Sequence, residues 1–138
     1  MSPKTIPNEV DSVAKPGATG VTRIINATGY SMKGLKSAWI NEAAFRQELM
    51  LILLLMPLAF WIGDTLEQIL LLVCISWLVV IVEVLNSAVE AVVDRIGSEH
   101  HELSGRAKDL GSAAVFIALA LNALVWGALV GRNLLGWW

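Results

Sequence analysis

The sequence predicts an all-α membrane protein in which an N-terminal amphipathic surface helix precedes three transmembrane helices. Three observations carry this prediction. Of 138 residues, 56% are hydrophobic, and the mean hydropathy is +0.64, more apolar surface than a soluble core of this size can absorb. Three apolar stretches each approach the roughly 20 residues that a spanning helix needs. The Lys and Arg residues cluster before the first stretch and between the last two, as they do in multi-pass membrane proteins.

Residues 1–20 mix Pro3, Pro7, Pro16, Gly17 and Gly20 with scattered charge and lack the apolar run of a secretory signal. They are expected to form a mobile tail, with residues 21–138 as one membrane domain. Between about 22 and 40, Ile25, Met32, Leu35 and Trp39 recur at helical spacing while Asn26, Lys33 and Ser37 fall elsewhere, the pattern of an interfacial helix. Gly29 and Gly34 each cost about 1 kcal/mol relative to Ala inside a helix, so a break near Tyr30 is expected. The first apolar stretch, about Leu49 to Gly63, reaches the length of a span, about 43–63, only if the helix continues back through Phe45, and Pro57 is a candidate kink. The second span, about 67–95, is apolar to Val82 and then carries ionisable groups. The third, about 110–132, is uninterrupted except at Asn122, which reads as interhelical hydrogen-bonding. Cys74, the sole cysteine, reads as a small buried hydrophobe.

Charge sets topology and excludes one class of partner. Lys4, Lys15, Arg23, Lys33, Lys36 and Arg46 precede the first span, none lies between Gln47 and Gln68, and Arg95, Arg106 and Lys108 separate the second and third spans. The N-terminus and the second loop are therefore expected in the cytoplasm, with the C-terminus and its Trp137–Trp138 pair at the outer interface. A net charge of −2 without a basic field argues against nucleic acid.

Three polar clusters carry the candidate chemistry. Glu83, Asn86, Glu90 and Asp94 are spaced by three, four and four residues; at about 100° per residue they share an arc of roughly 80° on one helix face. A carboxylate at that depth costs roughly 2.5–3.5 kcal/mol to insert, so the stripe needs a cation, a proton or a water-filled cleft. In WINEAAFRQE before the first span, Glu42 and Arg46 read as an i,i+4 pair. The segment SEHHELSGRAKDLGSA between the last spans reads as a loop carrying Glu99, His101, Glu102, Lys108 and Asp109; its adjacent histidines lack zinc-type spacing and read as polar loop residues. Topology puts all three clusters on one membrane face. Carboxylates from two helices can hold Mg²⁺ while it keeps positions for phosphate and water, and Lys and Arg can neutralise phosphate oxygens. Those are the parts of a phosphoryl-transfer site, although the sequence has no Walker A motif and no Gly-rich kinase loop.

The strings GYSMKGLKSAWINEAAFRQE and VEVLNSAVEAVVDRIGSEHHELSGRAKDLGSAAV, with the three-span layout, resemble the prokaryotic diacylglycerol kinase family of Gram-negative bacteria over about residues 20–132. The resemblance implies a homotrimer of three-span subunits in the inner membrane, which phosphorylates diacylglycerol with Mg·ATP. It implies Glu83 as catalytic base, and Glu42 and Glu90 as ligands of the divalent ion bridging the ATP phosphates. Arg23, Tyr30, Lys108 and Asp109 match nucleotide-binding positions, and Glu99, His101 and Glu102 match residues near the adenosine. Gln47, Glu48, Asn86, Asp94 and Ser112 match polar residues that line or support the site. Met32 and His100 depart from the aromatic residues common at those positions, and neither is a proposed ligand or base. Two rivals remain: an undecaprenol kinase of the same family, with the same roles and another lipid acceptor, and a non-enzymatic transporter or proton-relay subunit, which has no use for Lys108 and Asp109.

Overall fold

A computed structural model describes residues 20–97 and 101–137, so all of the expected tail (residues 1–20) but Gly20, together with Ser98, Glu99, His100 and Trp138, lies outside the described residues. Four helices follow in order: α1 (Val21–Asn41), α2 (Ala43–Ile62), α3 (Leu66–Ile96) and α4 (Glu102–Asn133). The last three are long and apolar enough to cross a membrane. The chain divides into two compact units, residues 1–35 and residues 36–138.

In the first unit the helix runs unbroken through Gly29 and Gly34, contrary to the expected break near Tyr30. Neither glycine takes a positive φ, and their propensity cost is too small to interrupt a helix that contains no proline. Thr28 and Ser31 satisfy their hydroxyls locally, on the carbonyls of Ile24 and Ala27, each at 3.0 Å.

The second unit begins with the end of α1 and the three spanning helices. Glu42 has an extended backbone and stands as N-cap of α2. The expected Glu42–Arg46 pair is therefore not formed, because Glu42 precedes the helix instead of sharing its face. Arg46 donates to the Trp39 and Ile40 carbonyls, at 2.8 and 3.2 Å, satisfying acceptors that the end of α1 leaves unpaired. Helix α2 does extend back past Phe45, which is buried with Ala38, Ile52, Val79, Val80 and Ala118, and Pro57 lies within it.

The turn from α2 to α3 is tight. A Cβ at Gly63 would collide with Ile69, and Thr65 caps α3 by accepting from the Gln68 N–H at 3.4 Å. At about 1.5 Å per residue, the 31 and 32 residues of α3 and α4 exceed the roughly 30 Å hydrocarbon core, so each projects a polar turn or more beyond it.

Helix α4 starts at Glu102, well inside the segment expected to be a loop. The apolar run begins the third span only at about residue 110. Ahead of it the His101 ring nitrogen Nδ1 accepts from the Leu103 N–H at 3.2 Å, and Glu102 places negative charge in the first turn. Lys108 and Asp109 are thus helical residues. Helices α3 and α4 form the most extensive contact, followed by α2 with α3. Ser76 is fully buried at their centre. Its hydroxyl accepts from the Trp126 indole N–H at 3.0 Å, and its proton lies within reach of the Leu72 carbonyl (2.8 Å) and Asn122 Oδ1 (3.1 Å). Asn122 has the interhelical bond the sequence predicts. Cys74 does not have its expected burial: it is exposed, two residues from Leu72 and Ser76 and so turned away from the face they bury.

Candidate active site

Three helices meet around a cleft of about 250 Å³. The N-terminus of α2 brings Glu42, Ala44 and Glu48; α3 brings Glu83, Asn86 and Glu90; α4 brings Ser112 and Val115. The helical stripe predicted from spacing alone is real as far as Glu90, and its most deeply placed member, Glu83, is only 4% exposed. Asn86 Nδ2 donates to Glu90 Oε1 at 3.1 Å, fixing the two side chains to each other one turn apart.

Among the described residues, the lining contains four carboxyl groups and no basic side chain. Like charges crowded into a low-dielectric cleft repel, and a cation, protons or both must accompany them. Polar atoms in the same region are also left open. Glu48 Oε2 and Asn86 Oδ1 of the lining, with Ser87 Oγ next to Asn86 in the chain, are buried with no hydrogen-bond partner among the described residues, whereas buried polar atoms are ordinarily paired. Among the described residues no three His, Cys, Asp or Glu side chains converge closely enough to form a ready-made metal cage. The donor set still fits Mg²⁺, a hard ion that takes one or two carboxylates from the protein and completes its octahedron with phosphate and water.

The other predicted residues lie outside the lining. Asp94 and Lys108 form an ion pair of 2.6 Å between the polar ends of α3 and α4, with side chains 66% and 41% exposed. Asp109 and Glu102 are exposed on α4, His101 caps that helix, and Gln47 is exposed on α2, one residue from Glu48 and turned about 100° from it. Arg23 and Tyr30 belong to the first unit, where the Lys33 ammonium stands 6.0 Å from the Tyr30 ring centroid. Two lining residues escaped sequence reasoning, Ala44 and Val115, which are apolar and carry no chemical signal.

These features define a class first: a protein of three helices long and apolar enough to cross a membrane, with an acidic cleft at one end of them. The sequence model of the prokaryotic diacylglycerol kinase family matches residues 29–130, and the chain belongs to that family. It is similar to the diacylglycerol kinase of Escherichia coli strain K12, with 62% identity over 109 residues covering 78% of this chain and 88% of the relative. It is also similar to the diacylglycerol kinases of Haemophilus influenzae strain Rd (57% identity, 81% and 95% covered) and Pseudomonas aeruginosa strain PAO1 (46%, 83% and 93%).

Proposed function

We infer that this protein is a diacylglycerol kinase that transfers the γ-phosphoryl group of Mg·ATP to the free hydroxyl of 1,2-diacylglycerol, giving phosphatidic acid. Membership of the family supports the activity. The observation that carries the assignment of the site is the convergence of Glu42, Glu83 and Glu90 on one cleft. Their separation by up to 48 positions in sequence makes that convergence a property of the fold.

Phosphoryl transfer leaves little covalent chemistry to the protein, which acts by positioning the reactants and balancing charge. Glu83 accepts the proton of the lipid hydroxyl as that oxygen attacks phosphorus; its burial keeps water from competing as acceptor. Glu42 and Glu90 hold Mg²⁺, which when bound neutralises charge on the phosphate oxygens. Glu48, Asn86, Asp94, Gln47 and Ser112 support the site, and the Asn86 amide restrains Glu90. Lys108 supplies a phosphate-facing cation, and its bond to Asp94 limits the ammonium to a few positions. Arg23, Tyr30 and Asp109, with Glu99, His101 and Glu102 toward the adenosine, bind the rest of the nucleotide.

Residues 21–138 form the kinase domain behind a tail of residues 1–20. Membership of the family supports placement in the inner membrane, and the distribution of Lys and Arg supports a cytoplasmic cleft with the C-terminus in the periplasm. The enzyme acts as a homotrimer, and chemical crosslinking in membranes followed by mass determination should give a three-chain species. Labelled γ-phosphate should pass to diacylglycerol in mixed micelles and not accumulate in lipid when diacylglycerol is omitted. Preferential labelling of undecaprenol would assign the other acceptor, and absence of lipid labelling with either would reject the kinase.

A further inference from the structure

The contact between α3 and α4 at the cleft depends on the absence of a side chain. The Asn86 carboxamide oxygen occupies the space that a Cβ on Gly111 would fill, with the rest of the amide close behind it. Gly111 does not take a positive φ, so glycine serves close approach here and not an unusual backbone. The two ends of the Asn86 amide have different environments. Its nitrogen donates to Glu90 Oε1 at 3.1 Å, whereas its oxygen is buried with no hydrogen-bond partner among the described residues. An acceptor left in that state is disfavoured and is retained only where the surroundings dictate it. Gly111 presents a Cα–H there, a weak donor that tolerates a carbonyl oxygen at close range.

We propose that Gly111 is a positioning residue for the transfer site: by leaving room for the Asn86 amide oxygen, it keeps the amide nitrogen on Glu90 and holds that carboxylate toward the cleft. The proposal rests on the assignment of Glu90 as a holder of the divalent ion. A methyl group at position 111 meets the Asn86 oxygen at a separation that real Cβ atoms do not tolerate, so the amide must rotate and its bond to Glu90 is lost. Gly105 and Gly127 lie on the same helix with nothing within 4 Å of an added Cβ, and they serve as controls for any general effect of Gly→Ala on α4.

The test is Mn²⁺ binding followed by electron paramagnetic resonance, on detergent-solubilised full-length protein with a non-hydrolysable ATP analogue and no lipid acceptor. Gly111→Ala should weaken Mn²⁺ binding about tenfold, in the range usual for residues that orient metal ligands, while Gly105→Ala and Gly127→Ala leave it unchanged. If Gly111 acts through Asn86, then Asn86→Ala and the double variant Gly111→Ala/Asn86→Ala bind Mn²⁺ equally weakly. Should Gly111→Ala alone fail to fold, the double variant, which lacks the obstructing oxygen, is expected to recover folded protein with weak binding. Wild-type affinity in Gly111→Ala, a double variant that binds Mn²⁺ more weakly than Asn86→Ala alone, or a double variant that also fails to fold would each overturn the proposal. Glu90→Gln separates the two levels. If it weakens Mn²⁺ binding and Gly111→Ala does not, only the role of Gly111 fails; if Glu90→Gln binds like the wild type, the metal assignment fails and the proposal with it.

Discussion

The two ends of the spanning bundle treat their polar groups in opposite ways. Where α2 turns into α3, Asn133 Nδ2 donates to the Ile62 carbonyl at 2.8 Å and to Gln68 Oε1 at 2.6 Å, and the same Gln68 oxygen accepts from the Asp64 N–H at 3.0 Å. Toward the middle, Ser76, Asn122 and Trp126 satisfy one another. At the cleft, by contrast, Glu48 Oε2 and Asn86 Oδ1 are buried with no partner among the described residues, and four carboxyl groups share a wall to which no described basic side chain contributes. Closed networks lock helices together; open ones await something from outside the chain. In a bilayer, where water cannot repair an unpaired group, that contrast separates structural polarity from functional polarity.

Substitutions at the two ends should therefore fail in different ways. The largest effect on ligand requirements is expected for Glu90→Gln, which removes a charged ligand and should raise the Mg²⁺ concentration needed for half-maximal transfer by about 10–100-fold with unchanged thermal stability. An unchanged Mg²⁺ titration would break the comparison at its functional end. Lys108→Ala removes one phosphate-facing cation and should raise the KM for ATP on the order of tenfold, leaving the KM for diacylglycerol unaltered; equal shifts in both would point to a packing role. Ser76→Ala strands the Trp126 indole N–H in the bundle core and should lower unfolding stability by about 0.5–2 kcal/mol. Transfer per folded molecule should hold in that variant, and a lost Mg²⁺ or ATP response would erase the distinction. Asn133→Ala should give the smallest change, about 0.5 kcal/mol or less of stability, with kinetics like the wild type.

Which parts were legible in the sequence follows from the range of the interactions. Glu83, Asn86 and Glu90 declared themselves because helical spacing alone aligns them, and the presence of three helices apolar enough to span followed from the apolar runs. Glu42, Glu48 and Ser112 were placed at the site by resemblance, and all three line the cleft. The Ser76–Trp126 bond joins residues 50 positions apart, so neither partner stands out in its own apolar run, and Gln68 with Asn133 is hidden for the same reason. The start of α4 was missed because the apolar run begins only at about residue 110, whereas the His101 cap starts the helix ahead of it. Glu42 and Arg46 have helical spacing, but the helix begins between them. Cys74 was assigned to the core by residue type, although its position opposite the Leu72–Ser76 face decides its exposure.

The most direct test of the acidic cleft as the transfer site is to measure, on one preparation of Glu83→Gln protein, both labelled phosphatidic acid formation and ATP-analogue binding. Loss of the general base should lower the transfer rate by about 10²–10⁴ while nucleotide affinity stays within a factor of about two of the wild type. Turnover retained at near wild-type rate would contradict the account, because the buried carboxyl on which the cleft is centred would then have no part in the chemistry.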